Sequence, residues 1–190
     1  FARLGCQVTG IDPSERSLLT ARRHALLSNL QIAYQGGTGE QIPFADASFD
    51  VIVCCDVLEH VDDVARVVHE IARVLRPSGI FFYDTINATF LSWLTVIKVA
   101  QESRITRFLP PNLHDSKQFV KPRELQQCMQ QRCLKNQEVR GISFRGNPFV
   151  VIVRLLEYKR GNIALAEMAN ALHFRESKST SLLYMGHALK

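Results

Sequence analysis

Between Phe49 and Val61 the sequence reads Phe-Asp-Val-Ile-Val-Cys-Cys-Asp-Val-Leu-Glu-His-Val, an apolar stretch that passes directly into two carboxylates and an imidazole. In an open α/β sheet, ligands lie beyond the carboxyl ends of the strands. Asp56, Glu59 and His60 are therefore expected at the mouth of a site, not in the core. An earlier stretch, Val8-Thr9-Gly10-Ile11-Asp12, ends in the same way. An acid there suits both hydroxyls of a ribose, although Asp12-Pro13-Ser14 also reads as a turn or helix cap. The loop Thr38-Gly39-Glu40-Gln41-Ile42-Pro43-Phe44 offers Gly39 for close backbone approach, Glu40 beside it, and apolar residues beyond, a combination suited to the edge and face of an adenine ring. A second imidazole, His114, stands in the proline-fixed loop Leu109 to Asp115.

The elements that would position these groups follow from periodicity. Phe1 to Leu4 reads as the end of a helix turned by Gly5, and Cys6 to Ile11 as a short strand. Ser14 caps a helix whose Leu18, Leu19, Ala21, Ala25 and Leu26 form one stripe. Ile32 to Tyr34 is an edge strand, and Phe49 to Cys55 a strand buried on both faces. Asp62 to Leu75 is an amphipathic helix stopped by Arg76-Pro77-Ser78-Gly79, with a strand from Gly79 to Asp84 after it. This order predicts crossover helices and a parallel sheet. Ala88 to Ala100 is strongly apolar and suits either a core helix or a cover, Pro122 opens a helix to about Cys133, and Glu138 to Ile142 and Ser181 to Leu189 read as late strands. The stretch from Phe149 to Phe174 is a helical or irregular insertion.

With 190 residues, 46% of them hydrophobic, the chain suffices for a single domain spanning 1–190. Its net charge is +5 and the basic residues are scattered, which suits contact with an anionic substrate or lipid as well as ordinary solvated faces. Five cysteines without metal-ligand spacing argue for a reducing compartment. No apolar run is long enough to cross a bilayer. A zinc site, a phosphate loop and a nucleic-acid interface lack their patterns, so no nucleic-acid partner is expected. The chain opens on Phe1 and reads as a fragment.

As a set, Val8 to Asp12, Gly39 to Val51, Leu58-Glu59-His60-Val61 and Leu75-Arg76-Pro77-Ser78-Gly79-Ile80 resemble the class I S-adenosylmethionine-dependent methyltransferases. The resemblance implies a Rossmann-like α/β sheet with helices on both faces; the family's first strand and glycine-rich loop would fall before Phe1. Further motifs are similar to the O-methyltransferases of ubiquinone biosynthesis: Asp84-Thr85-Ile86-Asn87 with Ser92-Trp93-Leu94, Leu113-His114-Asp115 with Lys117 to Pro122, Asn147-Pro148, and Tyr184 to Ala188. That likeness implies methylation of a hydroxyl on a polyprenylated catechol or phenol. It carries cofactor roles onto Asp12, for the ribose, and Cys55, whose backbone would face the methionine portion of S-adenosylmethionine. Asp56, Glu59 and His60 match the family's Glu-x-x-Glu-His cluster for a divalent ion, with Asp for the first Glu. A helix starting at Asp56 would put all three on one face, able to hold magnesium or a similar cation, whereas Asp-x-x-Glu is also a capping box.

His60 or His114 would then serve as general base, or the cation would acidify the hydroxyl. Residues 85–125 would form a substrate lid that meets the polyprenyl tail or a membrane surface. The location implied is cytoplasmic, with membrane association, or the mitochondrial matrix side in a eukaryote, and a quinone-biosynthesis complex is a candidate partner. Two other readings stay open: a methyltransferase of another small molecule or lipid, and a non-catalytic lipid-carrying protein of the same fold.

Overall fold

The structure is a computed structural model that describes residues 1–190, Pro148 in its backbone only. After a single 3-10 turn at Ala2–Leu4, closed by Gly5 at φ 85°, strand β1 (Val8–Asp12) leads into α1 (Glu15–Leu27). Ser14 caps α1 by accepting the Ser17 N–H at 3.2 Å. Strand β2 (Ile32–Gly36) lies parallel to β1, with Val8 opposite Ile32 and Asp12 opposite Gly36. Strand β3 (Phe49–Cys54), helix α2 (Val64–Val74) and strand β4 (Leu75–Ile86) form the second crossover unit. Asp63 caps α2 through the Arg66 N–H at 2.9 Å. The pairing of β3 with β4 is parallel but shifts between Phe49 and Val51, where Arg76 to Gly79 bulge out.

A short α3 (Phe90–Ser92) runs into a π-helix at Trp93–Glu102. Helix α4 (Pro122–Gln130), strand β5 (Lys135–Phe144), helices α5 (Pro148–Lys159) and α6 (Leu165–Asn170), and strands β6 (Phe174–Ser177) and β7 (Leu183–Leu189) complete the chain. The strands make two sheets, β1-β2 and β3-β4-β7-β5-β6. β7 is antiparallel to β4 and to β5, and β6 is antiparallel to β5, so the larger sheet is mixed rather than parallel throughout.

The core lies between this sheet and α2 and α4. Val67, Val68, Ile71 and Val74 of α2 meet Phe81 and Tyr83 of β4, Leu125 and Met129 of α4, and Tyr184 and Ala188 of β7. Each such aliphatic side chain, once fully buried, contributes about 1.5–3 kcal/mol. Tyr83 and Tyr184 keep their hydroxyls satisfied: one donates to Asn136 Oδ1 at 2.5 Å and the other to the Val120 carbonyl at 3.0 Å. The carboxyl ends of β3 and β4, where the site must sit, are thus set on a packed base.

Several expectations need correction. The α1 stripe is narrower than its spacing suggests: Leu18 and Ala25 are buried, but Leu19 and Leu26 face solvent. β3 is not covered on both faces. It is an edge of the larger sheet, and Val51 and Val53 share a half-open face. The stretch from Phe149 contains α5 and α6, and its last residue opens β6, a strand that the sequence pattern did not reveal.

Candidate functional site

The carboxyl ends of β3 and β4 lie side by side, because Cys54 pairs with Tyr83. Just beyond them, the Asp56 N–H donates to Asp84 Oδ1 at 2.8 Å. Asp56 has φ 53°, a left-handed conformation that Asp tolerates better than most side chains. No helix starts there. The chain instead makes a single 3-10 turn at Leu58–His60, with Val57 as its cap. The expectation of Asp56, Glu59 and His60 on one helical face therefore fails, and so does the capping box: Glu59 Oε2 accepts the Thr85 hydroxyl at 2.8 Å.

A different trio converges. Ligand atoms of Glu59, His60 and His114 all lie within 4.8 Å of one another, with Asp56 outside the group. The rings of His60 and His114 stack with centroids 4.9 Å apart. Glu59 is 1% exposed, and desolvation raises its carboxyl above the ordinary value despite the Thr85 hydroxyl and the nearby His60. Desolvation also lowers His114, helped by repulsion from His60, so its ring favours the neutral form. His114 Nδ1 is buried without a hydrogen-bond partner. A buried ring nitrogen with nothing to bond is costly unless a ligand meets it. One carboxylate and two imidazoles suit a borderline cation such as zinc or iron better than magnesium.

Sequence reasoning missed the residue that brings His114 into place. Gln101, buried in the π-helix, accepts the His114 N–H through Oε1 at 2.8 Å and donates through Nε2 to the His114 carbonyl at 3.1 Å. Thr85 and Asp84 were also missed as site residues. Their signal was position: both stand at the carboxyl end of a strand adjacent to β3.

The expected cofactor residues at the end of β1 and in the loop after β2 are arranged around backbone. Asp12 ends β1, and its Oδ1 accepts the Ser14 N–H at 2.7 Å, which closes the turn into α1. Gly39 has a packing reason for lacking a side chain: a Cβ there would stand 3.1 Å from Val67. The Glu40 carbonyl accepts Arg66 Nε at 3.1 Å. The loop is gripped from behind by the buried Glu70 and the half-buried Arg73 of α2. Glu70 accepts the Ile42 N–H at 3.0 Å, while Arg73 donates to Glu70, to Asp46 and to the carbonyls of Ile42 and Phe44. Hydrogen bonds from Arg73 hold Glu70 below the usual carboxylate range. Burial, with a hydrogen bond to Asp84, pushes the Cys55 thiol up to about 12, so the thiol stays protonated.

Known proteins resemble the chain in sequence and in fold. Residues 1–83 match the family described as a methyltransferase domain. The ubiquinone biosynthesis O-methyltransferase of Salmonella arizonae is 37% identical over 156 residues, which are 82% of this chain and 63% of that protein. The chain thus spans less than two thirds of that relative's length. A solved S-adenosylmethionine-dependent methyltransferase from Methanosarcina mazei aligns with all of this chain and 84% of its own, with TM-score 0.64 and 16% identity. A [4+2]-cyclase aligns with all of this chain and 68% of its own, with TM-score 0.63 and 16% identity. These structural likenesses establish the fold alone. The chain thus has the fold of S-adenosylmethionine-dependent methyltransferases, matches a methyltransferase-domain family over residues 1–83, and is similar over 82% of its length to a ubiquinone-biosynthesis O-methyltransferase.

Proposed function

We propose that the protein transfers a methyl group from S-adenosylmethionine to a hydroxyl of a polyprenylated catechol or phenol in ubiquinone biosynthesis. The observation that carries this reading is the convergence of Glu59, His60 and the orphaned His114 beyond the carboxyl ends of β3 and β4. Asp12 takes the ribose, the gripped loop from Gly39 meets the adenine, and the Cys55 backbone faces the methionine portion. The acceptor oxygen attacks the sulfonium methyl carbon as the carbon–sulfur bond breaks, and S-adenosylhomocysteine leaves. Alignment supplies the largest part of the acceleration. Neutral His114 takes the hydroxyl proton, with Gln101 fixing its backbone and His60 stacked on its ring. Glu59, His60 and His114 would hold a divalent cation, which when bound acidifies the catechol hydroxyl; the proton then leaves to solvent instead.

The segment from Phe90 to Glu102 supports a lid over an apolar tail. Ile97 and Phe119 pack beneath it with Trp93, while Phe90, Leu91, Leu94 and Val99 lie outward. Each tail methylene that it buries adds about 0.8 kcal/mol, available for positioning. A long-tailed catechol is expected to show a far higher kcat/KM than a short-tailed analogue in the full-length protein, and Trp93→Ala erodes that preference more than it erodes activity on the short analogue. Equal kcat/KM for the two acceptors would move the assignment to another small-molecule acceptor.

A further inference from the structure

Strand β3 ends its pairing with β4 at Cys54, opposite Tyr83. Beyond that point the chain leaves the ladder, and its backbone donors need other partners. Asp84 takes over there. Its Oδ1 accepts the Asp56 N–H at 2.8 Å, across 28 residues of sequence, where a strand partner would have offered a carbonyl. The residue so held is in a left-handed conformation, φ 53°, which a side chain other than glycine keeps only when its surroundings impose it. Asp84 can impose it because β4 is itself fixed: Tyr83 and Thr85 on either side are 2% and 0% exposed, and Asp84 lies opposite Met185 of β7.

Thr85 completes the hold. Successive residues of a strand face opposite ways, so Asp84 and Thr85 reach the turn from the two faces of β4. One takes the start of the turn at Asp56, the other the Glu59 carboxylate at 2.8 Å. The stretch between is a 3-10 turn capped by Val57, whose carbonyl accepts the His60 N–H at 2.9 Å. Where His60 stacks on His114 is thus set by the backbone angle at Asp56. The charge of Asp84 is not what stabilises this arrangement. Burial, and then repulsion from Asp84, raise the Asp56 carboxyl, so the two carboxylates oppose each other. A charge kept beside a like charge points to the geometry that it holds.

We propose that Asp84 is a positioning residue for methyl transfer: by holding the Asp56 N–H it fixes the left-handed turn that delivers Glu59 and His60 to His114, and it touches neither cofactor nor acceptor. This deepens the function proposed above and rests on that reading for its kinetic arm alone. Three variants of the full-length protein test it. Asp84→Asn keeps an oxygen for the Asp56 N–H and drops the charge, so kcat is expected within about threefold of the unaltered protein's. Asp84→Ala drops both and should lower kcat about thirtyfold or more. Its affinity for S-adenosylmethionine by calorimetry should stay within about threefold, which also shows that the variant folds. Asp56→Gly added to Asp84→Ala should recover kcat about tenfold, since glycine enters the left-handed region without help. A structural arm needs no turnover: the imidazole Hε1 signals of His60 and His114 in proton NMR, displaced by their stacked rings, should move toward free-imidazole positions in Asp84→Ala and stay in place in Asp84→Asn. An asparagine variant as slow as the alanine one would make the charge, not the bond, the working part and overturn the proposal. So would unchanged kcat in Asp84→Ala, cofactor affinity lost there with kcat kept, no recovery with glycine, or histidine signals that the alanine leaves unmoved. An unaltered protein without turnover on a polyprenylated catechol would count against the function proposed above, while histidine signals that move as expected would leave the hold of Asp84 on the turn standing.

Discussion

In the β1-β2 pair no residue of either strand is fully buried, whereas β4 and β7 bury Phe81, Tyr83, Thr85, Tyr184 and Ala188. The small sheet joins the main core through one side chain, Ile11, and its other supports are α1 and hydrogen bonds at loop ends. The large sheet is closed by two hydroxyl bonds and by helices packed on it. Two-stranded sheets are marginal by themselves, while a multi-stranded sheet under helices is self-sufficient. Within this chain the strands that offer Asp12 are thus loosely packed, and those beside Glu59 and His114 are rigidly packed. A donor cofactor can be gripped by loops that settle onto it, but a proton transfer needs groups fixed before the acceptor arrives.

The sharpest way to break this contrast is to add one methyl group to each sheet. A Cβ at Gly186 of β7 would collide with the Glu138 carbonyl and the Tyr83 hydroxyl, both immobile. Gly186→Ala should cost about 3 kcal/mol or more in denaturant unfolding. In β1 a Cβ at Gly10 would press at 3.0 Å only on the edge of the Tyr34 ring, so Gly10→Ala should cost less than about 1 kcal/mol. Similar losses in both variants would mean that the two sheets unfold as equals.

A smaller effect separates binding from stability. Asp12→Ala in the full-length protein should weaken S-adenosylmethionine binding by about 2–3 kcal/mol by calorimetry, through lost charge-assisted bonds to the ribose. Its thermal midpoint should hardly move. Unchanged affinity would remove Asp12 from the cofactor site.

On the rigid side the coupling runs the other way, and the expected effect is smaller still. Burial raises the Glu59 carboxyl, so the folded state holds its proton more readily than the unfolded state does. The stability from this group is fully present below the ordinary carboxyl value of 4.5 and is lost as pH rises through the folded value. Glu59→Gln keeps an acceptor for Thr85 without the charge. It should raise stability at pH 7 by about 1 kcal/mol, with the gain shrinking toward acid, while methyl transfer falls. A variant less stable at pH 7 would mean that the charge is needed for folding. For His114 the shift has the opposite direction: burial lowers it, so the acid limb of kcat/KM should lie below the ordinary imidazole value of 6.5 and disappear in His114→Ala if this ring is the base.

Much of the fold was legible. The stripe Val64, Val67, Val68 and Ile71, the caps at Ser14 and the stop after Val74 are local signals, and they gave α1, α2 and the strands around them. Glu59, His60 and His114 could each be singled out by type. Their grouping could not, since His114 arrives from a distant loop through two bonds to Gln101, a contact that no spacing encodes. Asp56 was misplaced for a local reason: its left-handed φ interrupts what the i, i+3, i+4 pattern presents as a continuous helix. β6 is short and half charged, Phe-Arg-Glu-Ser, and pairs only because β5 offers an edge.

The π-helix at Trp93–Glu102 has a further consequence for how this chain can vary. Its wider coil sets the angular phase at which Gln101 meets His114, and a residue added to or removed from it rotates everything after it by roughly a quarter of a turn. Substitutions along the outward side leave that phase intact. A single-codon deletion between Trp93 and Ala100 swings Gln101 away from the loop and frees His114, so the segment should accept wide variation in composition across descendants of this gene and almost none in length.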